Sequence, residues 1–200
     1  NKLLLLYKND HDGKFINQIL NYLKISSNID ISEKIGNNNR YIFVCNHPTG
    51  ILDGLVLLNC LSKSHPTQLI INDIIDFIPN IKNLILPIEW FGTMNNDQSR
   101  KLIKALKSDK HLIVFPAGEV SKLQNFNIKD MEWNPSFIKM AFRYKRDIIP
   151  THLSGSNSPT FYLVSMLRRL LKMDFNIEMF LLIRELFNKR NLTINVKLGC

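Results

Sequence analysis

Short, wholly apolar runs that stop at a proline or glycine turn constrain this chain more than any other feature. YIFVC (Tyr41–Cys45) leads into Asn46-His47-Pro48, and HLIVF (His111–Phe115) into Pro116-Ala117-Gly118. A strand with one wet face alternates polar and apolar residues, whereas an unbroken β-branched and aromatic run reads as a strand buried in a layered core. Further strands are expected at Gln68–Asn72, Leu84–Ile88, Asp147–Leu153 and Leu192–Leu198. Between them lie segments of helical period: Phe15–Ile25, Leu52–Leu61, Asp73–Phe77, Asn96–Lys107, Pro135–Tyr144, Thr160–Lys172 and Ile177–Asn188. Asn134 is the expected N-cap of the Pro135 helix. The polar stretch Asn28–Asn39 reads as a loop. Strands that alternate with helices imply an α/β fold: a single layered domain with a central mixed, largely parallel sheet flanked by helices.

Ligands in such sheets bind beyond the carboxyl ends of the strands. Two strands end in the most unusual sequences of the chain, Asn46–Gly54 and Pro116–Lys122. In the first, His47 follows a strand and Asp53 opens a helix, with five residues between them. Pro48 biases His47 toward extended backbone at the strand mouth, and a tight turn through Gly50 folds Asp53 back toward the imidazole. Histidine has the pKa to take a proton from an attacking hydroxyl or amine near neutrality. A carboxylate on its other ring nitrogen fixes the tautomer and stabilises the imidazolium. A loop histidine beside an acid that complements a helix N-terminus would equally account for the pair taken alone. No GxSxG nucleophile motif occurs.

In the second segment, FPAGEVSK (Phe115–Lys122), Gly118 lets the backbone approach a ligand closely. Main-chain N–H groups, the Ser121 hydroxyl and the Lys122 ammonium form a candidate phosphate cradle. Glu119 is a candidate partner for an acceptor hydroxyl or a nearby cation. An ordinary strand-to-loop turn with solvated charges is the plainer alternative.

Charge and cysteine content narrow the partners. Lys and Arg number 26 against 17 Asp and Glu, a net +9, which favours anionic partners. The aromatic residues sit in apolar runs rather than among the bases, so nucleic acid ranks last. Three cysteines (Cys45, Cys60 and Cys200) without paired spacing fit neither a disulfide scaffold nor a zinc site and suggest a reducing, cytosolic setting. Cys45 and Cys60 are expected in the core, and no metal is expected. No stretch reaches the roughly 18 to 20 apolar residues of a spanning helix. The Leu run within Asn1–Tyr7 is too short for an anchor. A start at Asn1 and an end at Cys200 on a strand-like run fit a piece of a longer gene product.

NHPTGILDG followed about seventy residues later by FPAGEVS resembles the glycerol-3-phosphate and lysophosphatidate acyltransferase superfamily. It looks closest to the bacterial hemolysin-like branch. The likeness runs from about Leu3 to Leu198 and includes IIPTHLSGSNS (Ile148–Ser158). Two departures from the commonest pattern are visible. Five residues rather than four separate His from Asp, and FPAGEVS stands where FPEGTRS is usual. Both are similar to the hemolysin-like branch, and they leave an amino-acid-derived or other lipid acceptor open beside lysophosphatidate.

The resemblance implies one acyltransferase domain over residues 1–200, with a helical lead-in over about 1–30 and a catalytic core over about 40–200. It implies transfer of a fatty acyl group from acyl-CoA or acyl-carrier protein, as co-substrate and without a cofactor, to a lysophospholipid or related lipid. His47 would be the base and Asp53 its partner. Asn46, Gly118, Glu119, Ser121 and Lys122 would bind substrate, with Arg100 as candidate for the family's intermediate arginine block. The expected setting is cytoplasmic, peripheral to the inner face of the cell membrane. The helix Phe161–Lys172, with Arg168, Arg169 and Lys172, either lies in the membrane interface or packs on the sheet. The alternative function is a non-catalytic lipid- or membrane-binding protein on the same scaffold. A hydrolase in which His47 activates water is also open.

Overall fold

A computed structural model describes residues 7–31, 40–71, 79–88, 94–173 and 177–199 of the 200. Seven strands form one sheet: β1 (Ser26–Ile31), β2 (Tyr41–Cys45), β3 (Thr67–Ile71), β4 (Ile85–Pro87), β5 (His111–Val114), β8 (Asp147–Leu153) and β9 (Thr193–Leu198). Their order is β1-β9-β8-β2-β5-β3-β4, and every neighbouring pair is parallel except β8 with β9. A separate antiparallel hairpin joins β6 (Lys122–Gln124) to β7 (Asn127–Lys129). The helices are α1 (Asp12–Leu23), α2 (Ile51–Leu61), α3 (Asn96–Lys107), α4 (Ser136–Tyr144), α5 (Pro159–Leu170) and α6 (Leu182–Asn188).

The two central strands show why their sequences are unbroken apolar runs. Tyr41, Phe43 and Cys45 of β2 enter a core shared with Phe15, Ile16 and Ile19 of α1 and Leu55 and Leu58 of α2. Ile42 and Val44 enter a second core with Leu102 and Leu106 of α3 and Ala141 of α4. Side chains alternate across a strand, so helices on both faces require apolar residues at every position. The result is the expected layered α/β sheet. β2 and β5 lie side by side at its centre, so the segments that leave their carboxyl ends, Asn46–Gly50 and Phe115–Ser121, emerge as neighbours.

Several boundaries differ from the sequence expectation. Ser26–Ile31, expected within or before a loop, is an edge strand that among the described residues pairs only with β9. Its SSNIDI sequence is almost wholly exposed and has no core face to advertise. Polar side chains stitch it instead, as between Ser26 Oγ and Thr193 Oγ1 at 2.8 Å. Within the expected lead-in, α1 is helical and packs in the core, and β1 joins the sheet. The hairpin was unsignalled, because its tip is Asn125-Phe126 rather than Asn-Gly. Ile177–Leu181 is a 3-10 turn before α6 rather than its first part. Asn134 Oδ1 does accept the Ser136 N–H at 3.0 Å, although Pro135 occupies the cap position. Cys45 is fully buried, and Cys60 is only partly so, beside Ser27 Oγ. The helix expected at Asp73–Phe77 lies outside the described residues.

Arg146 holds the lower end of the sheet. Its buried guanidinium donates to the carbonyls of Ala105, Leu106, Ser108 and Lys110, where α3 ends. Carbonyls left open at a helix C-terminus carry partial negative charge and suit a cation. Burial still pulls the Arg146 pKa down to about 10.

At the start of β5, the buried His111 ring packs on Tyr41 and stacks on His65, with centroids 4.1 Å apart. Burial lowers its pKa from 6.5 to about 4, helped by like charge from His65 and Arg146. The unfolded chain therefore takes up a proton at this position before the folded chain does. Stability from this group is fully present above pH 6.5 and is lost as pH falls toward 4, by about 3 kcal/mol. Denaturant titrations of the wild type and of His111→Gln across that window should diverge in slope. Parallel slopes would show that His111 does not report on folding.

Candidate active site

The turn after β2 is built by one glycine and one carboxylate. Gly50 sits at φ +83, and a Cβ there would come within 2.7 Å of Leu182 Cδ2. Only glycine fits both that backbone and that space. Asp53, three residues into the turn and 1% exposed, reaches back as in a capping box. Its Oδ2 accepts the N–H groups of Thr49 at 2.8 Å and Gly50 at 2.9 Å, and its Oδ1 accepts the Thr49 hydroxyl. The same Oδ2 lies 2.9 Å from His47 Nδ1.

Folding of the helix start therefore positions the carboxylate that orients the histidine. With the Nδ1 proton facing Asp53, Nε2 carries the lone pair and is the basic nitrogen. The His47 ring stacks on Phe115, with centroids 3.9 Å apart and planes 19° from parallel. Its side chain retains 17% exposure, enough for contact with a substrate.

A third segment, which the sequence did not single out, holds this loop from the other side. The His47 N–H donates to Asp130 Oδ1 at 3.3 Å, and the His47 carbonyl accepts the Ser121 N–H at 2.8 Å. Ser121 Oγ donates to Asp130 Oδ1, and Trp133 Nε1–H donates to Oδ2 at 3.0 Å. Asp130 directly follows β7, so the hairpin brings it back over both motifs. No local pattern marks it, because the contact exists only once Asn125 and Phe126 reverse the chain.

The second block is next to His47, as expected, but its donors are differently engaged. Gly118 adopts φ +67, and its N–H donates to Phe115 O at 2.9 Å. The buried Lys122 ammonium is paired with Glu119 and lies 3.5 Å from Glu178. Arg168, from α5, joins the same group 3.1 Å from Glu178 and 3.8 Å from Glu119. The Ser121 hydroxyl, the Lys122 ammonium and the Gly118 and Ser121 N–H groups of the expected cradle thus have internal acceptors. Burial forces this outcome, since a charge or donor removed from water needs a partner.

Two other candidates are placed as follows. Asn46 Nδ2 donates to Leu153 O at 2.9 Å and its Oδ1 accepts the Leu153 N–H at 2.7 Å, so the amide ties the end of β2 to β8. Arg100 is exposed on α3, beside Ile103, Lys104 and Lys107, and that helix packs on β4 and α4.

The α5 start is fixed by Glu185 of α6, whose carboxylate accepts the Ser158 N–H at 2.8 Å and the Ser158 hydroxyl at 2.6 Å. Burial pushes the Glu185 pKa up, but these bonds and Lys189 outweigh it and hold it below the usual carboxylate range. No grouping of three or more His, Cys, Asp or Glu suited to a metal occurs among the described residues.

Comparison with known proteins identifies the family. A lyso-glycine lipid O-acyltransferase from Phocaeicola vulgatus is 31% identical over 194 residues, which is 96% of this chain and 70% of that protein. A second protein of the same name, from Bacteroides thetaiotaomicron, is 32% identical over 187 residues, covering 92% and 69%. The crystal structure of the 1-acyl-sn-glycerophosphate acyltransferase PlsC from Thermotoga maritima shares the fold, with TM-score 0.51 and 17% identity. That similarity covers 93% of this chain and 65% of the other, so the chain spans about two thirds of the relatives it matches. The family model described as Acyltransferase matches residues 1–200, and the chain belongs to that acyltransferase family.

Proposed function

We propose that this protein transfers a fatty acyl group from a thioester, acyl-CoA or acyl-carrier protein, to a hydroxyl of a lyso-amino-acid lipid of the lyso-glycine class. The observation that carries the mechanism is the 2.9 Å contact between His47 Nδ1 and the buried Asp53 carboxylate. It leaves Nε2 to take the acceptor's hydroxyl proton as the oxygen attacks the thioester carbonyl. The carbon–sulfur bond breaks, the ester forms, and the imidazolium returns its proton to the departing thiolate. Asp53 stabilises the imidazolium between these steps.

Two observations support an acceptor without a phosphate. Both curated relatives carry the lyso-glycine lipid name. The cationic Lys122 and Arg168 beside the site are already balanced by Glu119 and Glu178, so a phosphate would have to displace a carboxylate to reach them. In this reading the reaction takes place at the inner face of the cell membrane. No helix among the described residues is long and apolar enough to cross a membrane.

The test is direct competition. Purified protein is given labelled acyl donor with equal amounts of lyso-glycine lipid and lysophosphatidate, and the ester products are separated. Product on the glycine lipid is expected to exceed product on lysophosphatidate by about tenfold or more, a difference of about 1.4 kcal/mol in transition-state binding. Turnover confined to lysophosphatidate would overturn the acceptor assignment.

A further inference from the structure

The hairpin tip is the least self-explained part of the surface. Asn125 and Phe126 both have positive φ, +49 and +61, the conformation of a two-residue turn that favours glycine at its second position. A bulky side chain there is disfavoured by its own backbone. Phe126 is also 99% exposed, so packing within the molecule offsets none of that strain. Strain kept at an exposed aromatic points to a contact outside the chain.

The neighbouring surface has the same character. β6 packs against α5, and α5 packs against the 3-10 turn that leads into α6. On α5, Leu163, Leu167 and Leu170 recur at helical spacing and are 51%, 45% and 70% exposed, opposite the buried Phe161 and Ser165. Leu171 and Ile183 are also exposed, at 69% and 53%. The exposed charges of the described residues in this stretch are of one sign. Among the described residues from Pro159 to Leu192, the exposed charged side chains are Arg169, Lys172, Arg184 and Arg190. The two acids among those described residues, Glu178 and Glu185, are buried in ion pairs.

We infer that Phe126 and the exposed apolar stripe of α5 dock this protein on an anionic lipid bilayer, with the surrounding cations at the headgroups. This rests on the lipid acceptor proposed above and names the face by which the protein reaches it. An apolar face rimmed by bases matches a bilayer carrying anionic lipid. A second copy of the chain would set cations against cations, which disfavours self-association. The hairpin connects this face to the chemistry. One root, Lys122, is paired with Glu119 and Glu178, and the other, Asp130, bonds the His47 N–H and Ser121. Docking through Phe126 therefore sets the catalytic loop beside the headgroup layer.

The test is co-sedimentation of the purified protein with phosphatidylcholine vesicles, with and without phosphatidylglycerol. Binding should require phosphatidylglycerol. Phe126→Gly should fold with unchanged or higher thermal stability, because glycine suits the turn, yet bind vesicles about tenfold more weakly. Leu167→Ser with Leu170→Ser should weaken binding similarly, and Arg169→Glu with Lys172→Glu should abolish the phosphatidylglycerol dependence. Transfer to a short-chain, water-soluble acceptor should survive in Phe126→Gly. Equal vesicle binding by the wild type, Phe126→Gly and the double serine variant would overturn the inference. So would a dimer in gel filtration that Leu167→Ser disrupts, since the face would then belong to a second copy. Vesicle binding that survives His47→Ala, in a protein that acylates no acceptor, would uphold the docking face and defeat only the proposed reaction.

Discussion

Replacement of His47 by alanine is expected to reduce acyl transfer by about a thousandfold to ten-thousandfold while the protein remains folded. The magnitude is that of a positioned general base in the transition state. The fold should tolerate the change because the side chain is partly exposed and the loop is pinned through main-chain atoms. The His47 N–H and carbonyl contact Asp130 and Ser121, and alanine keeps both. What alanine loses structurally is the stack on Phe115 and one bond to Asp53, together about 1 to 2 kcal/mol. Steady-state transfer at saturating donor, with thermal unfolding of the same preparation, checks both halves. A variant within tenfold of wild type would remove His47 from the mechanism. An unfolded variant would contradict the expectation that the loop is pinned through main-chain atoms.

The parts of the molecule legible in the sequence are those where local chemistry and tertiary environment demand the same residues. β2 and β5 are covered on both faces, so their burial is written as uninterrupted apolar runs. The His47–Asp53 pair is legible for a related reason. One turn of chain and the start of α2 bring the two together, so the spacing itself encodes the contact. β1 was missed because an exposed edge strand needs only main-chain partners, and those lie in β9, far along the chain.

Asn46, Ser121 and Lys122 show a different limit. Residue type reveals what a side chain can donate, but not which group receives it. Each was assigned to substrate, and the fold supplies an internal partner first: Leu153 for Asn46, Asp130 for Ser121, and Glu119 with Glu178 for Lys122. Glu178 and Arg168 enter the site region from segments more than forty residues downstream of the second motif, and no pattern within either segment announces it.

Asp53 separates structure from catalysis when two substitutions are compared. Asp53→Ala should lower stability by about 3 to 5 kcal/mol, because it strips acceptors from the Thr49 and Gly50 N–H groups at a buried helix start. Activity would fall with it, and that result alone could not be assigned to chemistry. Asp53→Asn is the informative partner. Its amide oxygen can occupy the Oδ2 position and still accept from Thr49, Gly50 and His47. Its amide nitrogen then faces the Thr49 hydroxyl, which can rotate to accept. Asparagine should therefore fold with a loss of only about 1 to 2 kcal/mol, the difference between charged and neutral hydrogen bonds. The tautomer of His47 is preserved, but the negative charge that stabilises the imidazolium is gone. Transfer by Asp53→Asn is expected to drop about a hundredfold to a thousandfold, mainly in kcat, because the missing interaction develops only as the proton moves. Denaturant unfolding and kcat, measured on both variants, give the comparison. If asparagine retained wild-type kcat while alanine unfolded the protein, Asp53 would be a helix cap that happens to touch a histidine, and His47 would need no carboxylate to act.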